Sequence, residues 1–456
     1  MADQLYFSRD TKVFIEIGTS IWEMPVLDGF SFSQATNASE VTLSEMSGTT
    51  GSSRRGRRMF TDSFAPAEWS FSTYMRPFTT VGAAATGSGE TAQTAVQNQL
   101  TGKLAGITDG DHHAVEEVLW AMLAGPGYYD AATDEFKSAS GGTVYLAHGA
   151  TSADIDFAQS NKSTLGTANF YFVMGGANDT KTVYKIADCV VNEASADFDI
   201  DGIATIAWSG MGTIITDEGT SVPTSTITEG VTATNNFIRN RLTTLTAIKD
   251  NAFNVAATIG TGAGNQPVEG RRYKIATLGS TATNWAAIGA DSSPSVGEIF
   301  TANAVAATGD GTAQQESEYG LVLTGGNITI SNNMTFLTPE TLGTVNQPLG
   351  HVTGSRSVSG SFTCYLNNDT DSSAELFEDL LGDRTTVTNN HTLKFDIGGI
   401  TPNLPRVQMS MASCHLELPS HAIDDVISLE TAFHALPSAI DLTDEIVIKY
   451  FGKDVV

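Results

Sequence analysis

At 456 residues the chain is too long for one ordinary hydrophobic core and leaves room for roughly two to four domains. A formal net charge of -27 excludes a protein that grips nucleic acid through its phosphates, since that needs clustered Lys and Arg; a 41% hydrophobic composition excludes a disordered chain. The 44 glycines, with abundant Thr, Ser and Asn, favour turn-rich antiparallel sheets.

Three cysteines, Cys189, Cys364 and Cys414, lie far apart in an odd number and are expected to be reduced and buried in strands. No apolar run approaches the about 18 residues of a membrane helix, and MADQLYFSRD lacks a secretion pattern. The expectation is a chain made in a cytoplasm, without membrane insertion, that stays soluble until it assembles.

Val13 to Ile17 reads as a first strand and Val26 to Phe32 as a second, leading on to Val41 and Leu43. A polar arm over 36–62 follows. Its Gly48, Gly51 and Gly56 among Ser and Thr cannot bury enough apolar surface to fold alone. From Trp69 the residues Trp69, Phe71, Thr73 and Met75 point one way and Ser70, Ser72, Tyr74 and Arg76 the other, the period of a half-buried strand. Asp111 is read as the N-cap of a helix from His112 to Ala124, with Val115, Val118, Leu119 and Met122 at helical spacing and Gly125-Pro126 ending it. Strands are expected at Val144 to Ala147, Asn169 to Met174, Val183 to Val191 and Asp197 to Trp208.

The Thr/Ser/Gly/Pro-rich stretch from Thr216 to Thr234 marks a boundary or an exchanged linker. A strand pattern restarts at Phe237 to Ile248 and is interrupted from Val268 to Gln315, where Tyr273 to Leu278, Glu298 to Ala302 and Trp285 suggest a miniature β-core. Then come strands over Tyr319 to Ile330, a second arm over 335–357, an alternating strand from Val358 to Leu366, and a capped helix from Ser372 to Leu381 ending at Gly382. Leu393 to Ile397, Val407 to Glu417 and Val426 to Phe433 close the set. Both halves thus repeat one order: strand pair, long arm, alternating strand, short helix, closing strands. VEEVLWAMLAG matches AELFEDLLGD, and Cys189 falls on Cys414.

The run SRRGRRMFTDSFAPAEWSFSTYMRPF resembles the major tail tube proteins of long-tailed bacteriophages, and the segment beginning EGRRYKIATLG resembles a small β-module inserted in many phage structural proteins. The resemblance implies a mainly β fold of two tandem β-sandwich tail-tube domains, each with one short helix. The first would span 1–220, the second 221–250 with 316–456, and the inserted module 251–315, facing outward. It implies a structural virion protein, not an enzyme, polymerising with itself into stacked rings that form a hollow conduit for DNA. Six tube domains per ring would come from three chains, with pseudo-sixfold symmetry. Assembly would occur in the host bacterial cytoplasm and end in the virion tail, with tail terminator, baseplate or tip proteins as partners, and a sheath where one is present. Genomic DNA would pass through without specific binding. A capsid decoration or receptor-binding β protein is the alternative; it needs no pair of matching arms.

Arg54, Arg55, Arg57 and Arg58 form a basic cluster in an acidic chain, read as a clasp onto a carboxylate-rich surface of another copy or else as a solvated loop. With Met59, Phe60 and Arg356 they make the expected inter-subunit interface. Asp197, Asp199 and Asp201 alternate along one strand and are read as acidic lumen wall or exposed face rather than a cation site. His112-His113 with Glu116-Glu117 has metal-compatible spacing without a third ligand nearby, and is read as surface polar pairs. No metal or cofactor is expected. GxSxG, HExxH, CxxC and Walker motifs are absent.

Overall fold

Alternation at Trp69 to Met75 becomes a long strand with one face inside: Ala67, Trp69, Phe71, Thr73 and Met75 are buried, while Glu68 is exposed and Ser70, Ser72 and Tyr74 are half-buried. The structure is a computed structural model describing residues 5–42, 57–79, 112–223, 237–250 and 257–452, with short breaks inside the longer runs. It is mainly β, with three short α-helices among the described residues.

The chain lays down β1 (Thr11–Ile17) and β2 (Ser20–Met24), then the long hairpin of β3 (Ser31–Thr42) and β4 (Arg57–Tyr74). A short pair, β5 (Pro77–Thr79) and β6 (His112–Ala114), leads into helix α1 (Glu117–Ala124). Small strands β7 (Tyr128–Asp130), β8 (Glu135–Lys137), β9 (Val144–His148) and β10 (Ala153–Asp156) follow. Then come β11 (Ala168–Met174), the long β12 (Thr182–Asp199), β13 (Thr205–Gly212) and β14 (Ile215–Asp217).

The second half opens with β15 (Thr244–Asp250) and continues through β16 (Ala257–Thr258), β17 (Arg272–Thr277), the one-turn helix α2 (Trp285–Ile288), β18 (Ile299–Thr301) and β19 (Thr312–Tyr319). Next are β20 (Leu323–Ser331), the short hairpin of β21 (Thr335–Leu337) and β22 (Gly350–Val352), β23 (Ser357–Tyr365) and helix α3 (Ser373–Asp383). The chain ends with β24 (His391–Ile397), β25 (Arg406–Leu416), β26 (Ser420–Ile423), β27 (Ile427–Ala435) and β28 (Val447–Phe451).

One antiparallel sheet crosses both halves in the order β3-β4-β13-β12-β20-β23-β27-β25. In each set of four, the strand before the arm pairs with the strand after it, and that strand pairs with the last strand, which pairs with the closing strand before it. The seam is β12 against β20, from Glu193↔Ser331 to Asp199↔Gly325. Its inner face is an unbroken apolar row, Phe71, Trp208, Ala194, Ile330, Val358 and Ala435, each buried.

That row belongs to a core continuous through both halves. Phe198 meets Phe395 with ring centroids 5.3 Å apart, and Phe395 meets Phe433 at 5.7 Å. Burying one such side chain contributes about 1.5–3 kcal/mol, so separating the halves would expose a costly surface. A second cluster is separate: Tyr273, Ile275, Trp285, Ile288 and Phe300 pack among Ala302, Ala307 and Ala313. Trp285 Nε1 donates to Leu278 O at 3.1 Å.

Several boundaries differ from those expected. The second strand, expected over Val26 to Phe32, begins only at Ser31: β2 ends at Met24 and the chain passes through Gly29, whose φ is +101°, before β3 starts. The helix begins at Glu117, not His112, because His112 to Ala114 pair as a strand with Pro77 to Thr79. The helix also has no exposed face: Glu117 through Ala124 are all buried. Gly382 lies within α3.

Candidate functional site

On the sheet face turned from the core, small polar side chains run in rows across the seam. Ser72, Ala207, Ser195, Thr329, Ser359 and His434 make one row; Tyr74, Thr205, Asp197, Asn327, Ser361 and Ala432 the next; Asp199, Gly325, Thr363 and Glu430 a third. None of these residues is buried. Neighbours hydrogen-bond sideways: Ser195 Oγ lies 3.1 Å from Thr329 Oγ1, and Ser361 N donates to Asn327 Oδ1 at 2.8 Å. The three rows carry the carboxylates of Asp197, Asp199 and Glu430 and no Lys or Arg. A sheet face of this kind is low, hydrated and repels polyanions.

Two arms leave the opposite end of these strands. The first is a ladder rather than a loop, with β3 and β4 paired as far as Thr42↔Arg57. Beyond the body it exposes Met59 at 69% and Phe60 at 55%. The second runs through β21 and β22 and exposes Leu342, Leu349 and Leu337. The arms touch: Phe64 N donates to Asn346 O at 2.9 Å, and Asn346 N donates to Asp62 O at 3.1 Å. Apolar side chains this exposed on narrow projections are the kind of surface that binding partners cover.

No family model matches the chain. Across nearly its whole length, however, it is similar to the tail tube protein pb6 of Escherichia phage T5: 24% identity over 461 residues, covering 98% of this chain and 76% of the relative. That similarity supports a likeness to the major tail tube proteins of long-tailed phages. The similarity supports a structural role, that of a major tail tube subunit, and the β-rich fold agrees.

The tail tube reading gives the expected residues a place to be checked. Arg54 and Arg55 lie outside the described residues; Arg57 closes the β3–β4 ladder, and Arg58, Met59 and Phe60 are exposed beside it. Asp197 and Asp199 lie in the polar rows, while Asp201, past the end of β12, is exposed and pairs with Arg241 at 3.6 Å. Arg356 departs from the expected interface role. Its side chain is 7% exposed, pairs with Glu445 at 3.5 Å and stacks over the Phe157 ring at 4.8 Å, because the base of the second arm folds onto the first half. The apolar residues of the second arm were missed, since TFLTPETLGTVNQPLGHV reads as polar when counted by composition. Leu and Val recurring without period among turn residues were the available signal.

The pairs His112-His113 and Glu116-Glu117, read as surface polar groups, are instead inside: His113, Glu116 and Glu117 are at most 1% exposed. Glu116 Oε1 accepts from the Tyr450 hydroxyl at 2.5 Å, which in turn accepts from Trp120 Nε1 at 2.7 Å. Burial pushes the Glu116 carboxyl up to about 7, partly offset by Tyr450 and Arg76. For Glu117, burial alone would also raise it, but the His148 and His113 imidazoles hold it below the ordinary carboxylate range. Burial raises the Cys364 and Cys414 thiols to about 11 and about 12 and pushes Cys189 well above the ordinary thiol value, as expected for reduced core residues.

Proposed function

We propose that this subunit polymerises into stacked rings of three chains, each chain supplying two tube repeats, to form the conduit through which phage DNA leaves the virion. The observation that carries the proposal is the β12–β20 seam, where one four-stranded set meets another of the same strand order. Among the described residues β3 pairs only with β4, and the end of β25 at His415 and Leu416 pairs only with β27. These are the two ends of the joined sheet. Pairing the β25 edge of one copy with the β3 edge of the next repeats the seam between chains. Closing it head to tail around a ring removes every free edge.

The same reading puts the rows of Asp197, Asp199 and Glu430 on the lumen wall, where they keep the duplex from sticking. The domains then run over 1–220 and over 221–250 with 316–456, and the cluster around Trp285 forms the core of a module at 251–315 that faces outward. Arg54, Arg55, Arg57, Arg58, Met59 and Phe60 dock on a neighbour. Tail terminator and tip or baseplate proteins close the two ends of the tube. No helix among the described residues is long and apolar enough to cross a membrane, and assembly in the host cytoplasm into the virion tail is part of the proposal.

Electron microscopy of the purified protein tests this directly. Hollow cylinders with three-chain rings are expected; discrete particles that never elongate count against it. Proline substitutions along Ser31–Thr42 supply a second arm of the test. Those whose N–H faces away from β4 should abolish polymerisation in a folded monomer, and tubes of normal length from all of them overturn the edge pairing.

A further inference from the structure

The motif HHAVEE begins a buried constellation that the tube function does not use. His113 closes toward the helix from β6, Glu117 is the first residue of α1 one turn later, and His148 arrives from the end of β9. His113 Nδ1 lies 3.1 Å and His148 Nε2 3.0 Å from the same Glu117 Oε2. The three side chains are 1%, 5% and 1% exposed for His113, His148 and Glu117, and their donor atoms all fall within 4.8 Å of one another. Glu117 Oε1 is buried and accepts no hydrogen bond among the described residues.

We propose that His113, Glu117 and His148 form a three-ligand site for a divalent transition metal of the Zn2+ class. Two imidazole nitrogens and one carboxylate are the donor set such borderline cations select. Metal–ligand bonds of about 2.0–2.1 Å in a tetrahedron place the donors about 3.3 Å apart, close to the 3.0–3.1 Å separations present here.

The scaffold is held in place before any ion arrives. His112 N donates to Gly149 O at 2.9 Å, which ties β6 to the turn just after His148. That turn is closed by Gly149 N donating to Ser152 O at 3.1 Å, and β9 and β10 both pack on α1. Glu116, next in sequence, is engaged by Tyr450 and is not counted among the ligands. A cation here would staple β6, α1 and β9 together inside the first half. Among the described residues the second half has no counterpart: Ser372 and Ser373, at the start of α3, are bonded to Asn367.

The test uses the full-length protein. Elemental analysis after exhaustive dialysis is expected to find one Zn2+-class ion per chain. Chelator-stripped protein titrated with Co2+ should develop the visible d–d bands of a low-coordinate N/O site, and its Tm should rise on adding Zn2+. His148→Ala and the gentler His148→Gln should lose the metal and the spectrum, while His434→Ala, at an exposed His–Glu pair, should keep both. A folded wild type that retains no ion and gives no Co2+ bands overturns the site and leaves a hydrogen-bonded His–Glu–His cluster. Co2+ spectra unchanged in folded His148→Gln overturn it as well. Tube formation is scored separately, so failure of the metal site leaves the proposed polymer untouched.

Discussion

Ser63, at the root of the first arm, and Asn346, in the second, form a parallel β-bridge, so the two projections brace each other within one chain. Asn346 also organises its own arm: its Oδ1 accepts from Thr341 N at 3.0 Å and Thr341 Oγ1 at 2.8 Å. Replacing Asn346 with Ala removes both bonds. At about 1 kcal/mol each, the local opening free energy should fall by about 2 kcal/mol. Hydrogen exchange should then accelerate over 335–352 and over 59–64 together, while the core strands are unchanged. Acceleration confined to the second arm would mean that the bridge transmits nothing.

Gly210 on β13 sits where no side chain fits. An added Cβ would lie 2.0 Å from Val190 O and 2.5 Å from the Trp69 ring. Gly210→Ala must push apart the strands that carry the inner apolar row, and overpacking of this kind costs about 1–3 kcal/mol or more. A Tm drop of several degrees, or failure to fold, is expected. The same change at Gly350, with nothing within 4 Å, should be close to neutral.

Arg356 and Glu445 are both largely buried, so each depends on the other. Removing one partner leaves an uncompensated charge, and Arg356→Met should cost about 3–5 kcal/mol in urea unfolding. Combining it with Glu445→Leu should recover most of the loss. A double variant as unstable as the sum of the singles would show that the pair is not coupled.

The parts of this architecture visible in the sequence are those written in local period. The alternation from Trp69 to Met75 is set by which face is wet. Trp285 announced a small core because a lone Trp between short strands needs one, and it packs against Phe300 at 5.8 Å. What local pattern could not carry was the meeting of distant segments. The β12–β20 seam joins strands from opposite halves of the chain, and nothing in Ser195 or Thr329 names its partner. His148 is 31 residues from Glu117, so the third side chain of the buried cluster was invisible and the other two looked solvated. Arg356 misled for the same reason: its partner Glu445 is near the other end of the second half.

If the arms dock on neighbouring copies, their exposed apolar residues carry more of the affinity than their charges, because exposed ion pairs give about 0–1 kcal/mol each. Phe60→Asp and Leu349→Asp should each abolish polymerisation with the monomer Tm unchanged. Reversing Arg54, Arg55, Arg57 and Arg58 to Glu should also block it, with the loss partly relieved at higher salt, which screens the new like-charge repulsion. Sedimentation velocity separates subunits from polymers in each case. Tubes of normal length from the charge-reversed protein would remove the clasp.

The second arm should also respond to acid. His351 Nε2 accepts from Leu165 N at 3.4 Å, and the ring packs near Phe336, with burial lowering its pKa below the ordinary His value. A lowered pKa means the folded state binds fewer protons than the unfolded one. The contribution to stability is therefore fully present above about 6.5 and is lost as pH falls through that value and below. Protonation also turns Nε2 from acceptor to donor, which breaks the contact with Leu165. Hydrogen exchange over 335–352, corrected for intrinsic rates, should be slow at pH 7.5 and faster at pH 5.5. His351→Gln, which cannot titrate, should give the same corrected protection at both. Equal pH dependence in the variant would place the acid response on another group.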